Sequence, residues 1–159
     1  MVYEIYTDGA CSVNKRLGGY AAIAQFDGQQ VVLHGNKKHA TNNEMELLAV
    51  LAILHALFYK FKPHDQVIVY SDSAYIVNAI NQKWVQRWIN NGWRTKDNKR
   101  VKNGKMWIDL QLFLEQMEVC NIQYSFVKVK GHDNVKLNNY VDRLAVRETQ
   151  ILKDKQLED

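Results

Sequence analysis

Two aspartates follow segments that have the composition of β-strands. Asp8 comes after VYEIYT at residues 2–7, and Asp72 comes after VIVYS at residues 67–71, so each is preceded by a hydroxyl residue. Runs rich in β-branched and aromatic residues are typical of strands, and open α/β sheets bind ligands at the carboxyl ends of their strands. One such aspartate is more often a turn or cap residue. Two in the same local pattern favour a functional site.

Two further acids, Glu46 and Asp142, lie in segments with helical patterns. Glu46 precedes LLAVL at residues 47–51, in the most apolar segment of the chain. An unpaired buried carboxylate is strongly unfavourable, so we expect it to meet a cation, a metal ion or solvent. The alternative is an acid favoured by the helix dipole, a role that suits Glu44 better. Asp142 alone predicts only a solvated helix residue.

Four converging carboxylates are suited to phosphodiester hydrolysis with divalent cations. A single carboxylate would repel the anionic phosphodiester, whereas several can hold two Mg²⁺ ions about 3.5–4 Å apart. In that chemistry one ion lowers the pKa of the attacking water and the other stabilises the leaving oxygen. Oxygen ligands favour Mg²⁺ or Mn²⁺ over zinc, and the sequence has neither a Cys/His cluster nor a P-loop.

The elements that must position these acids can be predicted from patterns along the chain. Asp27-Gly28 indicates a hairpin, and Thr41 or Asn42 can cap the apolar helix that runs to Phe58. The predicted strands are 2–7, 18–26, 30–37, 67–70 and 122–129, and the predicted later helices are 73–80, 106–118 and 137–152. The order β-β-β-α-β-α-α-β-α predicts an α/β fold, a five-stranded mixed sheet with three antiparallel strands, then parallel ones, and helices on both faces.

A basic segment, called the protrusion below, spans residues 83–105. It holds eight basic residues and one acidic residue, a net charge of +7 in a chain of net charge +4. Trp84 and Trp88 are one helical turn apart, with Arg87 beside them and Trp93 further on. Basic side chains neutralise phosphates, and indoles pack on sugars and bases. The alternative, core tryptophans with a solvated charged face, does not explain the basic run from 96 to 105.

Single polar residues give weaker signals. His132 follows Gly131 in the run KVKGHDN, where it could carry protons or help release product; a surface histidine without a task is an equal alternative. Asn14, Asn42 and Asn43 could contact 2′-hydroxyls in a shallow minor groove. Asparagine is also ordinary turn chemistry.

Bulk properties limit the class of protein. A length of 159 residues suits one domain, and two cysteines are too few for a disulfide framework. The N-terminal segment lacks the pattern of a secretory signal, and the longest apolar stretch, 47–54, is too short to span a bilayer. We therefore expect a cytoplasmic protein.

Seven motifs occur in an order and at separations that resemble type 1 ribonuclease H, from about Val2 to about Glu148. They are YTDGAC at 6–11, GGY at 18–20, TNNEMEL at 41–47, YSDSAY at 70–75, VKNGKMW at 101–107, VKGH at 129–132 and NNYVDRLA at 138–145. The resemblance implies a single ribonuclease H domain over 1–159. It also implies an endonuclease that hydrolyses the RNA strand of RNA–DNA hybrids without sequence preference, leaving 5′-phosphomonoesters.

The resemblance also implies roles for individual residues. Asp8, Glu46, Asp72 and Asp142 would bind two Mg²⁺ ions when substrate is bound, with Mn²⁺ able to substitute, and His132 would assist turnover. The residues expected to contact the hybrid are Cys11 through its backbone, Asn14, Thr41, Asn42, Asn43, Asn138 and, on the protrusion, Trp84, Arg87, Trp88, Trp93, Lys96, Lys99 and Arg100. The expected partner is the hybrid, for a monomer with no membrane contact and no obligate protein partner.

Two departures from the family pattern concern substrate contacts. Lys15-Arg16 stands where relatives often carry proline and glycine, and Ala74 where many have a glutamine. Three alternatives remain open: a nuclease or integrase of the same fold acting on DNA, a non-catalytic hybrid- or RNA-binding module, and a two-carboxylate glycosidase. The glycosidase explains neither the two extra acids nor the basic protrusion.

Overall fold

The computed structural model describes residues 1–12, 14–130 and 136–158. The strands are β1 (Val2–Ser12), β2 (Leu17–Phe26), β3 (Gln29–Lys38), β4 (Gln66–Ser71) and β5 (Gln123–Lys128). The helices are α1 (Asn42–Leu57), α2 (Ala74–Asn81), α3 (Trp84–Asn90), α4 (Gly104–Val119) and α5 (Lys136–Glu158), and a short 3₁₀ turn, Phe58–Lys60, follows α1.

The predicted five-stranded mixed sheet is confirmed. Its order is β3-β2-β1-β4-β5, with antiparallel pairing from β1 to β3 and parallel pairing from β1 through β4 to β5. Alternate residues of β1 face opposite sides of the sheet. Ile5 belongs to a large core shared with α1 and α4, and Tyr6 to a smaller core with Val141 and Ala145 of α5. Helices therefore cover both faces, as expected.

Three elements differ from the sequence-based expectation: β1, the helices between β4 and β5, and α5, which continues to Glu158 instead of ending near residue 152. The first strand does not end before Asp8 but continues to Ser12, because its antiparallel pairing with β2 extends to the Ser12–Leu17 pair. Its parallel pairing with β4 does end earlier, at Tyr6–Tyr70. Within the described residues three helices, rather than two, lie between β4 and β5, because the left-handed conformation of Lys83 (φ 55°) ends α2 and allows α3 to begin.

Two glycines allow helices to approach the sheet closely at the level of Asp8. A methyl group at Gly9 would lie 2.5 Å from the backbone nitrogen of Glu46 in α1. On the other face, a methyl group at Gly19 would overlap the carbonyl oxygen of Ala145 in α5. Any side chain at either position would push a helix outward. Both helices that carry candidate site residues are therefore held directly against the central strands.

A buried carboxylate on α5 ties this helix to the edge strand β3. Glu148 is 7% exposed, and its two oxygens lie 2.6 Å from His34 Nδ1 and 2.6 Å from Asn36 Nδ2, both on β3. These bonds satisfy an acid that would otherwise be costly to bury. Among the described helices, none has both the length and the apolar character needed to cross a bilayer.

Replacing Glu148 with alanine should lower the free energy of unfolding by about 1–3 kcal/mol, because it removes the acceptor for two polar groups. Denaturant unfolding measures this change. Asp154→Ala, an exposed acid on the same helix that accepts from Gln150, should change stability by less than about 0.5 kcal/mol. Equal effects of the two substitutions would mean that the α5–β3 contact contributes nothing specific.

Candidate active site

Three of the four predicted carboxylates form one cluster, called the carboxylate cluster below: Asp8, Glu46 and Asp72. Each offers one carboxylate oxygen, and these oxygens lie within 4.8 Å of one another. Asp8 is on β1, Asp72 directly follows the neighbouring parallel strand β4, and Glu46 is brought beside them by the close approach of α1 at Gly9. The acids thus come from three separate elements that the sheet brings together.

The cluster has the properties of a cation site. Asp8 is 4% exposed and Glu46 3%, and Glu46 Oε2 is buried without a hydrogen-bond partner among the described residues. Asp8 Oδ1 accepts a hydrogen bond of 2.9 Å from the backbone nitrogen of Gly9. A buried acceptor with no donor, beside two other carboxylates, is stabilised when a cation or a proton balances its charge. Oxygen-only ligands of this kind suit a divalent cation such as Mg²⁺.

Electrostatics within the cluster favour protonation when no cation balances the charge. Burial raises the pKa of Asp8, and the charges of Glu46 and Asp72 raise it further. Burial likewise raises the pKa of Glu46, with Asp72 adding to the effect. The pKa of Asp72 is raised by burial and by Asp142, and is lowered in part by Lys128. The three groups cannot all ionise cheaply side by side.

Asp142, the fourth predicted carboxylate, lies at the rim of the cluster. It is exposed on α5, as expected of a solvated helix residue, yet its side chain is within hydrogen-bonding reach of Asp8. Asn138, one turn earlier, is only 3% exposed, and its Oδ1 has no hydrogen-bond partner among the described residues. Its contact with nucleic acid stays a prediction. His132 lies outside the described residues, and its role also stays a prediction.

Sequence reasoning missed a pair of stacked tyrosines next to the cluster. The rings of Tyr6 and Tyr70 are 4.6 Å apart at an interplanar angle of 14°, on the neighbouring strands β1 and β4. Each tyrosine stands two residues before a cluster aspartate, so the shared pattern Tyr-(Thr/Ser)-Asp was the available signal. Because alternate residues share a face, this stack supports the two strands just below the acids.

Lys128 was also missed as a neighbour of the site. It ends β5 opposite Ser71, the residue before Asp72, and its charge lowers the pKa of Asp72. In the sequence it is one of two lysines in VKVKGH, and only the strand register singles it out.

The polar residues predicted to contact nucleic acid lie along one edge. Thr41 caps α1 by accepting from Glu44 N at 3.2 Å, and Asn42 and Asn43 begin the helix with exposed side chains. Cys11 is linked to the segment just before this cap, since its Sγ lies 3.3 Å from Ala40 O. Asn14 is exposed in the turn between β1 and β2.

The protrusion combines a half-buried aromatic base with an exposed basic rim. Trp88 is 6.2 Å from Trp84, 6.3 Å from Trp93 and 5.6 Å from the fully buried Trp107, measured between ring centroids. The tryptophans are therefore partly core, as one alternative held. Exposed basic side chains surround them: Arg87, Arg94, Lys96, Lys99 and Arg100. A cavity lined by Trp84, Trp88 and several of these residues opens between them.

A five-stranded mixed sheet whose central strands carry a buried, unbalanced carboxylate cluster defines an α/β protein with a candidate divalent-metal site. The family model for RNase H matches residues 1–150. A ribonuclease H from Caldicellulosiruptor saccharolyticus is 48% identical over 141 residues, covering 89% of this chain and 91% of the relative. The chain therefore belongs to the ribonuclease H family, whose members are nucleases and thus hydrolases.

Solved structures agree on the fold. The N-terminal RNase H domain of a Mycobacterium tuberculosis protein superposes with a TM-score of 0.73 at 19% identity, covering 98% of each chain. A second RNase H, crystallised in complex with an RNA/DNA hybrid, superposes with a TM-score of 0.66 at 19% identity, covering 98% of this chain and 99% of the other.

Asp8→Asn should stabilise the protein in EDTA, because asparagine is neutral in the folded state without taking up a proton and keeps an oxygen to accept from Gly9. One unit of pKa shift corresponds to about 1.4 kcal/mol, so we expect a gain of at least about 1 kcal/mol. Because burial raises the folded-state pKa of Asp8, metal-free wild type should lose stability as the pH rises past the ordinary carboxyl value of about 4, and Asp8→Asn less so.

Thermal unfolding across pH, with EDTA and with Mg²⁺, measures both effects. Mg²⁺ should raise the Tm of wild type through binding to the folded state and should leave Asp8→Asn nearly unchanged. Asp109→Asn, an exposed acid on α4, is the matched control. A wild type that gains nothing from Mg²⁺ would contradict the assignment of the cluster as a metal site.

Proposed function

We propose that this chain is an endonuclease that hydrolyses the RNA strand of RNA–DNA hybrids with two divalent metal ions, and that residues 1–159 form one ribonuclease H domain. The observation that carries the proposal is the buried carboxylate cluster with its unpartnered Glu46 Oε2, found in a chain of the ribonuclease H family. Nucleic acid supplies the anionic substrate that the basic protrusion favours.

Asp8, Glu46, Asp72 and Asp142 would hold the metal ions, preferably Mg²⁺, with Mn²⁺ as a substitute. When bound, these ions would neutralise the phosphodiester, activate a water and stabilise the leaving oxygen. The chain itself orients the ligands: β1 and β4 fix the two aspartates, and α1 fixes Glu46 through the contact at Gly9. Burial of Asp8 and Glu46 keeps bulk water away from their carboxylate oxygens.

Asp142 and His132 would act while substrate, ions and product enter or leave the site. Asp142 is exposed and adjacent to Asp8, so it can accommodate substrate and ions without breaking the buried packing of the other three acids. His132, in its glycine-containing segment, would assist product release, since histidine titrates near neutral pH.

Selection of the RNA strand would rest on the edge formed by Cys11, Asn14, Thr41, Asn42 and Asn43. The exposed amides of Asn42 and Asn43 lie at the start of the helix that also carries Glu46, so a 2′-hydroxyl bound there is held at a fixed distance from the cluster. The 2′-hydroxyl is the group by which a protein distinguishes RNA from DNA. A structural neighbour of the same fold binds an RNA/DNA hybrid, which supports this choice of substrate.

The protrusion would grip the DNA strand of the hybrid. Trp84, Arg87, Trp88 and Trp93 would provide packing surface, with phosphate contacts from Lys96, Lys99 and Arg100. The half-buried indoles leave only part of each ring for a ligand, so backbone neutralisation would carry most of the affinity there.

The test is cleavage of an end-labelled RNA–DNA hybrid with Mg²⁺, with Mn²⁺ and with EDTA. We expect the RNA to be cut only with metal, while the DNA strand, a DNA duplex and single-stranded RNA stay intact. Asp8→Asn should abolish cleavage yet bind the hybrid at least as tightly as wild type, because it removes both metal affinity and repulsion. Efficient cutting of the DNA duplex would instead favour a nuclease that acts on DNA. Firm binding of the hybrid without any cleavage would favour a non-catalytic binding module.

Changing Lys96, Lys99 and Arg100 together to alanine should raise KM several-fold with little change in kcat, since these side chains lie away from the reacting atoms. The salt dependence of kcat/KM should also become shallower, by roughly 0.9 in slope for each phosphate that the variant no longer neutralises. Steady-state kinetics over a range of salt concentrations measures both. An unchanged KM at physiological salt would remove the protrusion from substrate binding.

A further inference from the structure

A second group of basic residues, called the β3-side surface below, lies outside the protrusion. It consists of Lys15, Arg16, Lys37 and Lys38, all exposed. Strand pairing brings them together, because Leu17 and Gly18 of β2 pair with Lys38 and Lys37 of β3. The backbone bond of 2.9 Å from Ala40 N to Arg16 O ties the β1–β2 turn to the segment after β3. Charges far apart in sequence thus form one patch.

The charge of this surface is compensated only at Lys37 among the described residues. Residues 14–40 contain these four basic residues and one acid, Asp27, which lies at the opposite end of the hairpin in the β2–β3 turn. Only Lys37 has an ion-pair partner in the described chain, Glu44 at 2.5 Å. With +7 on the protrusion and +3 on residues 14–40, the remainder must carry −6 to give the net charge of +4. The two basic surfaces therefore stand out on an acidic body.

The two surfaces lie on opposite sides of the carboxylate cluster. The cluster is centred on β1 and β4, the β3-side surface is at the β2–β3 edge, and the protrusion lies beyond α2, which is bonded to β5 through Asn81 Nδ2 and Phe126 O. Ser12, at the level of Lys38, is four residues past Asp8, and β3 is two strands from β1. Strand geometry then separates Lys38 from Asp8 by roughly 16 Å.

We propose that the β3-side surface is a second contact surface for the phosphate backbone of the hybrid, on the side of the cleavage site away from the protrusion. This inference rests on the proposed function. At about one phosphate per 3.4 Å along each strand, Lys38 would meet the backbone roughly five nucleotides from the phosphate being cut. A hybrid that extends this far on the β3 side engages both surfaces. A hybrid that ends nearer the cleavage site engages only the protrusion.

The test compares two double variants that each remove two positive charges. Arg16→Gln/Lys38→Gln alters the β3-side surface, and Lys60→Gln/Lys62→Gln alters the opposite end of the sheet, before β4. Binding of a fluorescently labelled hybrid is measured by anisotropy in EDTA across salt concentrations, and kcat and KM are measured with Mg²⁺. Long hybrids and hybrids truncated on either side of one fixed cleavage position are compared.

For long hybrids, Arg16→Gln/Lys38→Gln should weaken binding and lower the slope of log K against log salt by up to about 2, raising KM but not kcat. The control variant should show no such change on any hybrid, and Arg16→Gln/Lys38→Gln should show none on the hybrid truncated on the β3 side. Glu44→Gln should act in the opposite direction and lower KM, because it frees Lys37 from its ion pair. This variant is also a control for misfolding, because a variant with a damaged fold would not gain affinity for the hybrid.

Equal salt slopes for the two double variants on long hybrids would overturn the second contact surface. Equal weakening by Arg16→Gln/Lys38→Gln on the long hybrid and on the hybrid truncated on the β3 side would also overturn it. The anisotropy measurements distinguish failure of the second contact surface from failure of the proposed function, because they measure binding without cleavage. A wild type that binds the hybrid but never cuts it removes the nuclease proposal alone, and the comparison of slopes still decides whether the β3-side surface contacts the duplex.

Discussion

Three carboxylates with oxygens within 4.8 Å of one another, two of them almost fully buried, are electrostatically unstable without a balancing positive charge. Burial raises the pKa of each of these acids, and repulsion from neighbouring carboxylates adds to it, with Asp142 as the source for Asp72, so that the metal-free site favours protonation. The surrounding structure therefore has to hold the acids together against their own repulsion. Folding has already brought the acids together against their repulsion. A cation that neutralises them therefore binds without having to supply that free energy.

Most of the contacts that hold the cluster are between backbones and between rings, which carry no charge of their own. Gly9 lets α1 lie against β1, the stack of Tyr6 on Tyr70 supports the two strands that carry the aspartates, and Gly19 lets α5 lie against β2. On α5, Glu148 is bonded to His34 and Asn36 of the edge strand. Rigid packing is the usual way in which proteins hold mutually repelling polar groups in a fixed arrangement.

The sequence was enough to predict the sheet, its mixed topology and the convergence of three of the four acids, because the strand patterns before Asp8 and Asp72 and the apolar helix around Glu46 are local signals. The passage of β1 through Asp8 was not predictable, since it depends on pairing with β2. The separate helix α3 depends on the conformation of one residue, Lys83. Lys128 and the His34–Glu148 contact depend on register between distant strands and helices, which one sequence does not encode in any local pattern.

Charge is distributed so that the chemistry and the affinity are governed by different residues. The cluster is negative and repels a phosphate backbone until metal ions neutralise it, so it cannot by itself provide much binding free energy for the substrate. The basic residues that attract the backbone are exposed and stand away from the acids, where screening by salt tunes their strength. Had they been beside Asp8 and Glu46, they would have paired with those carboxylates and displaced the metal ions. Under the proposed function, separation of the two sets is a requirement of the site, and substrate length and ionic strength, more than the acids, would determine affinity.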